Sequence, residues 1–516
     1  MEQTKKEFLQ LLCSIYIIAI LVILPLYTGT GYYRLGDSKY LFYRNVSFFC
    51  LGAWGVLTGL TAVTAWMKSR LPRGEAVSEK RPKTLWSLMD SCMLLYGFSV
   101  VLSAVCSSFG EMVWTGYQDW YMGAISQLLF VGGYFCVSRC FVHSAVIIYL
   151  AEAGFAAVIG IGLLNRLGFD PMGLYRGVSK ADWTYSHMLS TIGNINWFCG
   201  YCSVLLALPL AGFLYSKKRL KTILLYFVSV CGLLLLAIQG SDSGLVLVSV
   251  AIGICLLYGR RKAVFFQKGM LLLAGTTLGI RMMGQMIEWR KAWEATPVDG
   301  GLYQNMLWNG WLVVSLLACV VLIVHRQLHN RVGKGAAQTF VKVFLLLGAI
   351  TLVIIGGAIT LVDLNEKIVS GSVALASWGS GRGSLWSLAC LGFGEADFSE
   401  KLIGVGPDCF APYLLSLGRA PVITKEGYWG NAIFANAHNE WLNQLINIGI
   451  LGVCCYGSIF VVALKRYRGI FLGILAIVMY GIQSLVSFQQ VLSTPFLFLV
   501  LGLCEATCRR AKEMEK

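Results

Sequence analysis

The sequence predicts an all-α, polytopic integral membrane protein of about 12–14 transmembrane helices with one large structured outer loop. Three observations lead there. Apolar residues make up 57% of the chain and charged residues only 13%, against roughly 45–50% and about 25% in soluble domains. Apolar stretches near the length of about 20 residues that crosses a bilayer as a helix recur along most of the 516 residues. The basic clusters between them fall on one side of the implied membrane, as the positive-inside rule requires. A soluble globule, a disordered chain and a collagen are thereby excluded. The 17 Cys are scattered through apolar runs, which excludes a disulfide-rich secreted scaffold as well.

In chain order the predicted spans lie near 8–27, 46–66, 86–107, 121–141 and 144–165, then near 190–215, 222–239, 244–258, 263–280 and 305–325. The last four lie near 341–362, 440–463, 469–487 and 490–508. The first is too long, and too poorly followed by small residues, to be a cleaved signal peptide, so it is expected to stay as a helix. The spans 222–239 and 244–258 are short and are separated only by Gly240-Ser241-Asp242-Ser243. With Lys5 and Lys6 inside, the inner segments receive Lys68, Arg70, Arg73, Lys80, Arg81 and Lys83, then Lys217-Lys218-Arg219 and Arg260-Arg261-Lys262. They also receive Arg326 with Arg331, Lys465-Arg466 and Arg509-Arg510, so both termini are expected in the cytoplasm. Counted this way, 27 of the 42 Lys and Arg lie inside, and the net charge of +16 is a topology signal. Nucleic acid is not an expected partner, because the basic residues are not interleaved with aromatics on one folded face. The lipid bilayer is.

The chain divides into an N-terminal helical bundle over 1–362, a large outer loop over 363–437 and C-terminal transmembrane helices over 438–516, all in a single membrane domain. Two shorter outer segments, 166–189 and 281–304, accompany the large one. The large loop is rich in Trp, Gly, Phe and Leu, unlike disordered sequence. Long ordered loops in compact proteins usually carry function. It is expected to form a structured cap with short helices at 382–392, 408–417 and 432–446. No internal repeat and no separate soluble domain is evident.

Two elements of that loop invite chemistry. Ser380-Gly381-Arg382-Gly383-Ser384-Leu385-Trp386 places an Arg at the expected start of a helix. A helix N-terminus and a guanidinium fork together make an anion site; an Arg reaching lipid headgroups fits the same residues. Asn436-Ala437-His438-Asn439-Glu440-Trp441-Leu442 then leads into a span containing Gly449-Ile450-Leu451-Gly452. Of five His, only His187 and His438 fall outside. An imidazole there can accept a proton from an attacking hydroxyl, or serve as a hydrogen-bonded structural group at a helix start.

In order and sidedness these elements resemble the O-antigen ligase and polymerase family of bacterial envelope glycosyltransferases. The resemblance runs from Arg382 near the start of the large loop, through Gly404-Val405-Gly406-Pro407-Asp408-Cys409-Phe410, to Ala437-His438-Asn439 and the Gly-Ile-Leu-Gly span. A further family piece, a Gly-Asn-Pro-Asn-like stretch entering a mid-chain helix, is similar to Gly193-Asn194-Ile195-Asn196-Trp197-Phe198. Together the motifs cover roughly 190–460, while the first five spans match in hydropathy alone.

The resemblance implies an enzyme of the bacterial cytoplasmic membrane with its active site on the outer face. It would take a glycan from an undecaprenyl-diphosphate carrier and transfer it to a hydroxyl of a glycan, lipid or protein acceptor, for surface polysaccharide synthesis. Neither metal nor cofactor is expected. In that role Arg382 would hold the departing diphosphate and His438 would be the general base, with inversion by single displacement. Asn194, Asn196 and Asn439 are implied as substrate-binding residues.

One departure stands out. Family members often carry an Arg in the short outer turn between two mid-chain spans, and here that turn reads Gln239-Gly240-Ser241-Asp242-Ser243-Gly244. Arg176, Arg281 and Arg290 are the expected substitutes. Ligase and polymerase share the donor and are not separated by the sequence.

Other constellations are read plainly. Asp90 is expected at headgroup depth and Glu152 as a buried polar partner. Glu395, Asp397 and Glu400 are expected on solvated surface rather than around a divalent cation. Cys199 and Cys202 are expected to pack, Cys390 and Cys409 to stay separate, and His325 with His329 to belong to a basic inner loop. The competing class is a transporter or flippase for a lipid-linked glycan, which would need paired halves and broken helices.

Overall fold

The computed structural model describes residues 2–70, 86–179, 182–260, 262–290, 300–350, 378–421 and 433–514. Those residues are almost entirely helical, with one two-stranded antiparallel pair, Met188–Leu189 against Gly193–Asn194. Among them nine helices are long and apolar enough to cross a membrane: Gln3–Leu26, Leu35–Met67, Leu88–Cys106, Ala145–Arg166, Ile195–Tyr215, Arg219–Ala237, Ala263–Trp289, Gly310–Arg331 and Glu440–Arg466. Three shorter apolar helices join them, Ala124–Cys140, Asp242–Tyr258 and Phe471–Gln483. The all-α, polytopic character read from the sequence is thus present.

Local chemistry sets several boundaries. The first helix passes through a π-turn at Ala19–Ile23 just before Pro25. Proline has no N–H to donate and its ring crowds the preceding turn, and the helix then ends at Leu26, leaving its last carbonyls without helical partners. Lys39, fully buried in the next helix, donates to two of them, Leu24 O at 2.9 Å and Pro25 O at 3.0 Å. Leu88–Cys106 starts in a capping box, where the Ser87 hydroxyl takes the Asp90 N–H and the Asp90 carboxylate takes the Ser87 N–H.

The centre of the bundle is the helix Thr494–Met514, whose first turns from Thr494 to Leu501 are buried throughout. It packs along Ala124–Cys140 and also meets Phe471–Gln483 and Ile195–Leu205. Glu440–Arg466 lies along Leu88–Cys106. Near the Arg466 and Arg509 ends of these helices, a set of buried ions ties four of them together. Asp90 accepts from Arg509 at 2.5 Å, pairs with Arg139 at 3.2 Å and takes the Tyr134 hydroxyl at 2.9 Å. Glu505 is held by Arg466 at 2.5 Å and by Arg509 at 3.1 Å.

Several expectations are corrected here. Asp90, expected in headgroup contact, is wholly buried and ion-paired, because two helices bring two cations and a phenol to it. Glu152 is only partly buried and faces Lys221 and Gly212. His325 is not in a loop: it is buried on Gly310–Arg331, against Phe266 and His329. The span expected at 469–487 is helical only over Phe471–Gln483, and a non-helical segment, 484–493, buried apart from Leu485 and Val486, precedes the central helix. The helix expected at 382–392 runs over Trp378–Glu395, so Arg382 sits a turn inside it rather than at its mouth. The helix expected at 408–417 is Phe410–Ser416, preceded by a short helix, Phe398–Ile403. The helix expected at 432–446 begins only at Glu440. The stretches 351–377 and 422–432 of the expected cap and of the span 341–362 lie outside the described residues.

Candidate functional site

The approach to His438 is built by backbone conformation. Asn439 caps the helix that follows, its Oδ1 accepting from Trp441 N at 3.0 Å and Leu442 N at 3.1 Å. His438 itself is left-handed, with φ 49°, a conformation costly for a residue with a side chain. Asn436 Oδ1 holds its N–H at 3.1 Å, and the Ala437 N–H bonds Asn443 Oδ1 at 3.3 Å. The imidazole is set between two rings, Phe488 at 5.0 Å and Phe434 at 5.6 Å, both edge-on. Helix cannot extend back through this turn, which is why the helix starts at Glu440.

A second turn locks the loop to the same helix. Gly449 breaks Glu440–Arg466 with φ 66° and ψ −174°. The carbonyls of Ile446 and Asn447 are thereby turned out and accept from Val405 N and Gly406 N, each at 3.0 Å. Ser103 Oγ adds a bond to Asn447 O at 2.7 Å, and Ser107 Oγ one to Val405 O at 2.5 Å. Asp408, left-handed at φ 63° and 3% exposed, takes the N–H groups of Tyr117 at 2.7 Å and Met122 at 2.9 Å on one carboxylate oxygen. Burial pushes its carboxyl up to about 7, against the two backbone bonds that favour the ion.

The mid-chain motif and the short turn meet in the fold. Asn194 caps Ile195–Leu205, with Oδ1 on Asn196 N at 2.8 Å. Asn196 Oδ1 accepts from Ser241 Oγ at 3.2 Å, Ser241 and Ser243 hydroxyls lie 3.0 Å apart, and Ser243 reaches Cys199 Sγ at 3.4 Å.

Arg382 closes the group from the large loop. Its guanidinium lies within electrostatic reach of Cys199, Asp242 and His438. Burial lowers its pKa, opposed by Cys199 and Asp242, and a guanidinium stays charged through such a shift. Burial first, and the Arg382 charge second, push the His438 imidazole down to about 3. At neutral pH the ring is therefore uncharged and has a lone pair to offer, next to a fixed cation. A neutral base and a cation side by side can take a proton from a hydroxyl and hold an anionic leaving group.

The three substitute arginines have other contacts. Arg281 is inside the helix Ala263–Trp289 rather than in a loop, and it donates to Asn309 at 3.2 Å and Gln285 at 3.0 Å. Arg290 donates to Leu167 O at 2.9 Å and covers the Phe169 ring at 4.0 Å. Arg176 is exposed and folds over Gly173. The residue that reaches the turn is Arg166, 1% exposed at the end of Ala145–Arg166, which donates to the Gln239 carbonyl beside Gly240. Sequence reasoning missed it because the last residue of an apolar span reads as an interfacial anchor. Phe488 and Phe434 had no signal beyond being aromatic.

The remaining loop residues are structural. Asp397 and Glu400 form a capping box, Glu395 is ion-paired with Arg419, and Cys390 and Cys409 are both free. Among the described residues no group of three or more His, Cys, Asp or Glu is placed to hold a metal ion. Compared with known proteins, the chain matches no family model and no curated sequence.

Proposed function

We propose that the chain is a metal-independent, inverting glycosyltransferase resembling O-antigen ligases and polymerases. It acts on an undecaprenyl-diphosphate-linked glycan at the outer leaflet of the bacterial cytoplasmic membrane, with about fourteen spans and both termini inside. One observation carries the reading: the Arg382 guanidinium lies within electrostatic reach of the His438 imidazole, and of Asp242 and Cys199. In the reaction His438 takes the acceptor hydroxyl proton and the acceptor oxygen attacks the anomeric carbon. The bond from that carbon to the diphosphate oxygen breaks. The diphosphate leaves on its lipid with the bonding electrons, its charge balanced by Arg382. The direct test is transfer by the purified full chain from an undecaprenyl-diphosphate-linked glycan. His438→Ala should abolish transfer at an unchanged membrane level of protein, and full activity in that variant would remove the assigned base.

A second reading, a flippase for the same lipid-linked glycan, is favoured by the helix break at Gly449 and the non-helical segment 484–493. The break is closed by backbone bonds to Val405 and Gly406, which suits a fixed scaffold better than a moving gate. Translocation of a fluorescent lipid-linked glycan in proteoliposomes, independent of His438, would favour this second reading.

A further inference from the structure

A narrow polar pocket lies on the Phe488 side of His438, with room for about one water-sized group. Its wall includes Trp120, Phe488, Asp408, Asn436, Gln444 and Asn447. Two wall atoms stand out. Gln444 Oε1 and Asn447 Oδ1 belong to residues only 2% exposed, and neither has a hydrogen-bond partner among the described residues. Buried acceptors left unpaired cost free energy, so a pocket presenting two of them calls for a donor.

The pocket's position relative to the base says which donor. Phe488 and Asn436 line it and also touch His438, through the ring contact at 5.0 Å and the backbone bond at 3.1 Å. Arg382, Cys199 and Asp242 are not in its wall. The pocket therefore opens on a different neighbourhood of the base from the cation that would hold diphosphate. Trp120, partly exposed, stands edge-on to the buried Phe488 at 4.7 Å and offers apolar surface beside the amides. Amide groups that bond hydroxyls, next to an aromatic ring that covers a C–H face, suit a sugar; the size admits a single hydroxyl.

We infer that this pocket receives one hydroxyl, or one hydroxymethyl oxygen, of an acceptor sugar, which donates to Gln444 or Asn447 while its ring lies along Trp120. The inference rests on the glycosyl-transfer reading and narrows it: the acceptor is a glycan, not a protein side chain or a simple lipid alcohol.

The test uses the full chain in nanodiscs, with lipid-linked glycan and acceptor glycan extracted from the source envelope, each varied in turn. Asn447→Leu should raise the acceptor KM about tenfold and leave the donor KM within about twofold, the size of effect expected for one lost hydrogen bond. An unmoved acceptor KM, or a rise in donor KM instead, overturns the inference. As a measurement that needs no variant, methyl glycosides of the acceptor's terminal sugar are used as competitors of the parent enzyme. One single-deoxy form should inhibit about tenfold more weakly than the parent sugar. If all deoxy forms inhibit alike, the pocket holds water only and the inference falls. A parent protein that transfers no glycan instead overturns the functional reading itself, and this inference with it.

Discussion

Gly404 and Gly449 meet backbone to backbone. A Cβ on Gly449 would lie 2.5 Å from the Gly404 nitrogen, and one on Gly404 would lie 2.3 Å from the Asn447 carbonyl oxygen. Both residues also have φ values in the left-handed region, 66° and 83°. The contact joins the large loop to the helix that follows His438, so its loss should be felt both in stability and at the site. Gly449→Ala is expected to cost about 1–3 kcal/mol from backbone strain alone, with overlap added. A lower melting temperature in detergent, with weaker transfer per folded molecule, is the expected result. An unchanged melting curve would mean the two segments are not clasped.

The pH profile reports the pairing of His438 with Arg382. Burial and the Arg382 charge hold the imidazole down at about 3, below the usual value of about 6.5. Lowered pKa means the ring stays neutral, and competent as a base, well into the acid range. Transfer should therefore show no acid limb near pH 6.5. In Arg382→Gln one of the two depressing causes is gone, so an acid limb should move upward toward that value, alongside weaker donor use. By linkage, the neutral buried ring favours the folded state above the unfolded-state pKa, and that contribution is lost as pH falls from about 6.5 toward 3. A profile identical in parent and variant would show that the guanidinium does not act on the ring.

Asp408 runs the other way. Burial raises its carboxyl to about 7, so the folded state binds the proton more tightly than the unfolded chain. The stability this provides is present below about pH 4 and is lost as pH rises toward 7, on the order of a few kcal/mol in all. Asp408→Asn keeps an oxygen for the Tyr117 and Met122 N–H groups and removes the titration. Its melting temperature should be flatter between pH 4 and 8 than that of the parent. Equal slopes would contradict the raised carboxyl.

The ion cluster around Asp90 should be separable from the site. Asp90→Asn removes the buried carboxylate that Arg139 and Arg509 share, while Arg509 keeps Glu505, a change that typically costs about 3–5 kcal/mol. Protein level and melting temperature should fall, while the KM for donor in the surviving folded fraction stays put. A shift in donor KM would tie this cluster to the reaction.

Much of the fold was legible because its signals are one-dimensional. Apolar length and the sidedness of Lys and Arg mark helices whatever their neighbours, and helices occur within all fourteen predicted stretches where they are described. What stayed hidden depends on partners. Asp90 reads as interfacial until Arg139 and Arg509 are brought to it, and 484–493 reads as apolar span although Ser484, Gln489 and Gln490 are buried in a non-helical path. At the site, the expected pairing of Arg382 with His438 holds within electrostatic reach, while the bond of Asn196 to Ser241 was not readable. The substitute for the missing turn cation was not readable. Arg166 is about 70 residues from the Gln239 carbonyl it bonds, and only the packing of Ala145–Arg166 brings them together.

Arg166→Ala follows as a prediction of its own. It removes the donor to the Gln239 carbonyl and should raise the donor KM more than the acceptor KM. A rise confined to the acceptor would place the turn on the wrong side of the base.

A double-substitution cycle on Arg382 and His438 tests the central claim most directly, using transfer from the undecaprenyl-diphosphate-linked glycan by Arg382→Ala, His438→Ala and the pair. If the guanidinium and the imidazole serve one reaction as a unit, the double variant loses about as much as the worse single one. Losses that simply multiply would mean the two residues act independently, and would contradict the account.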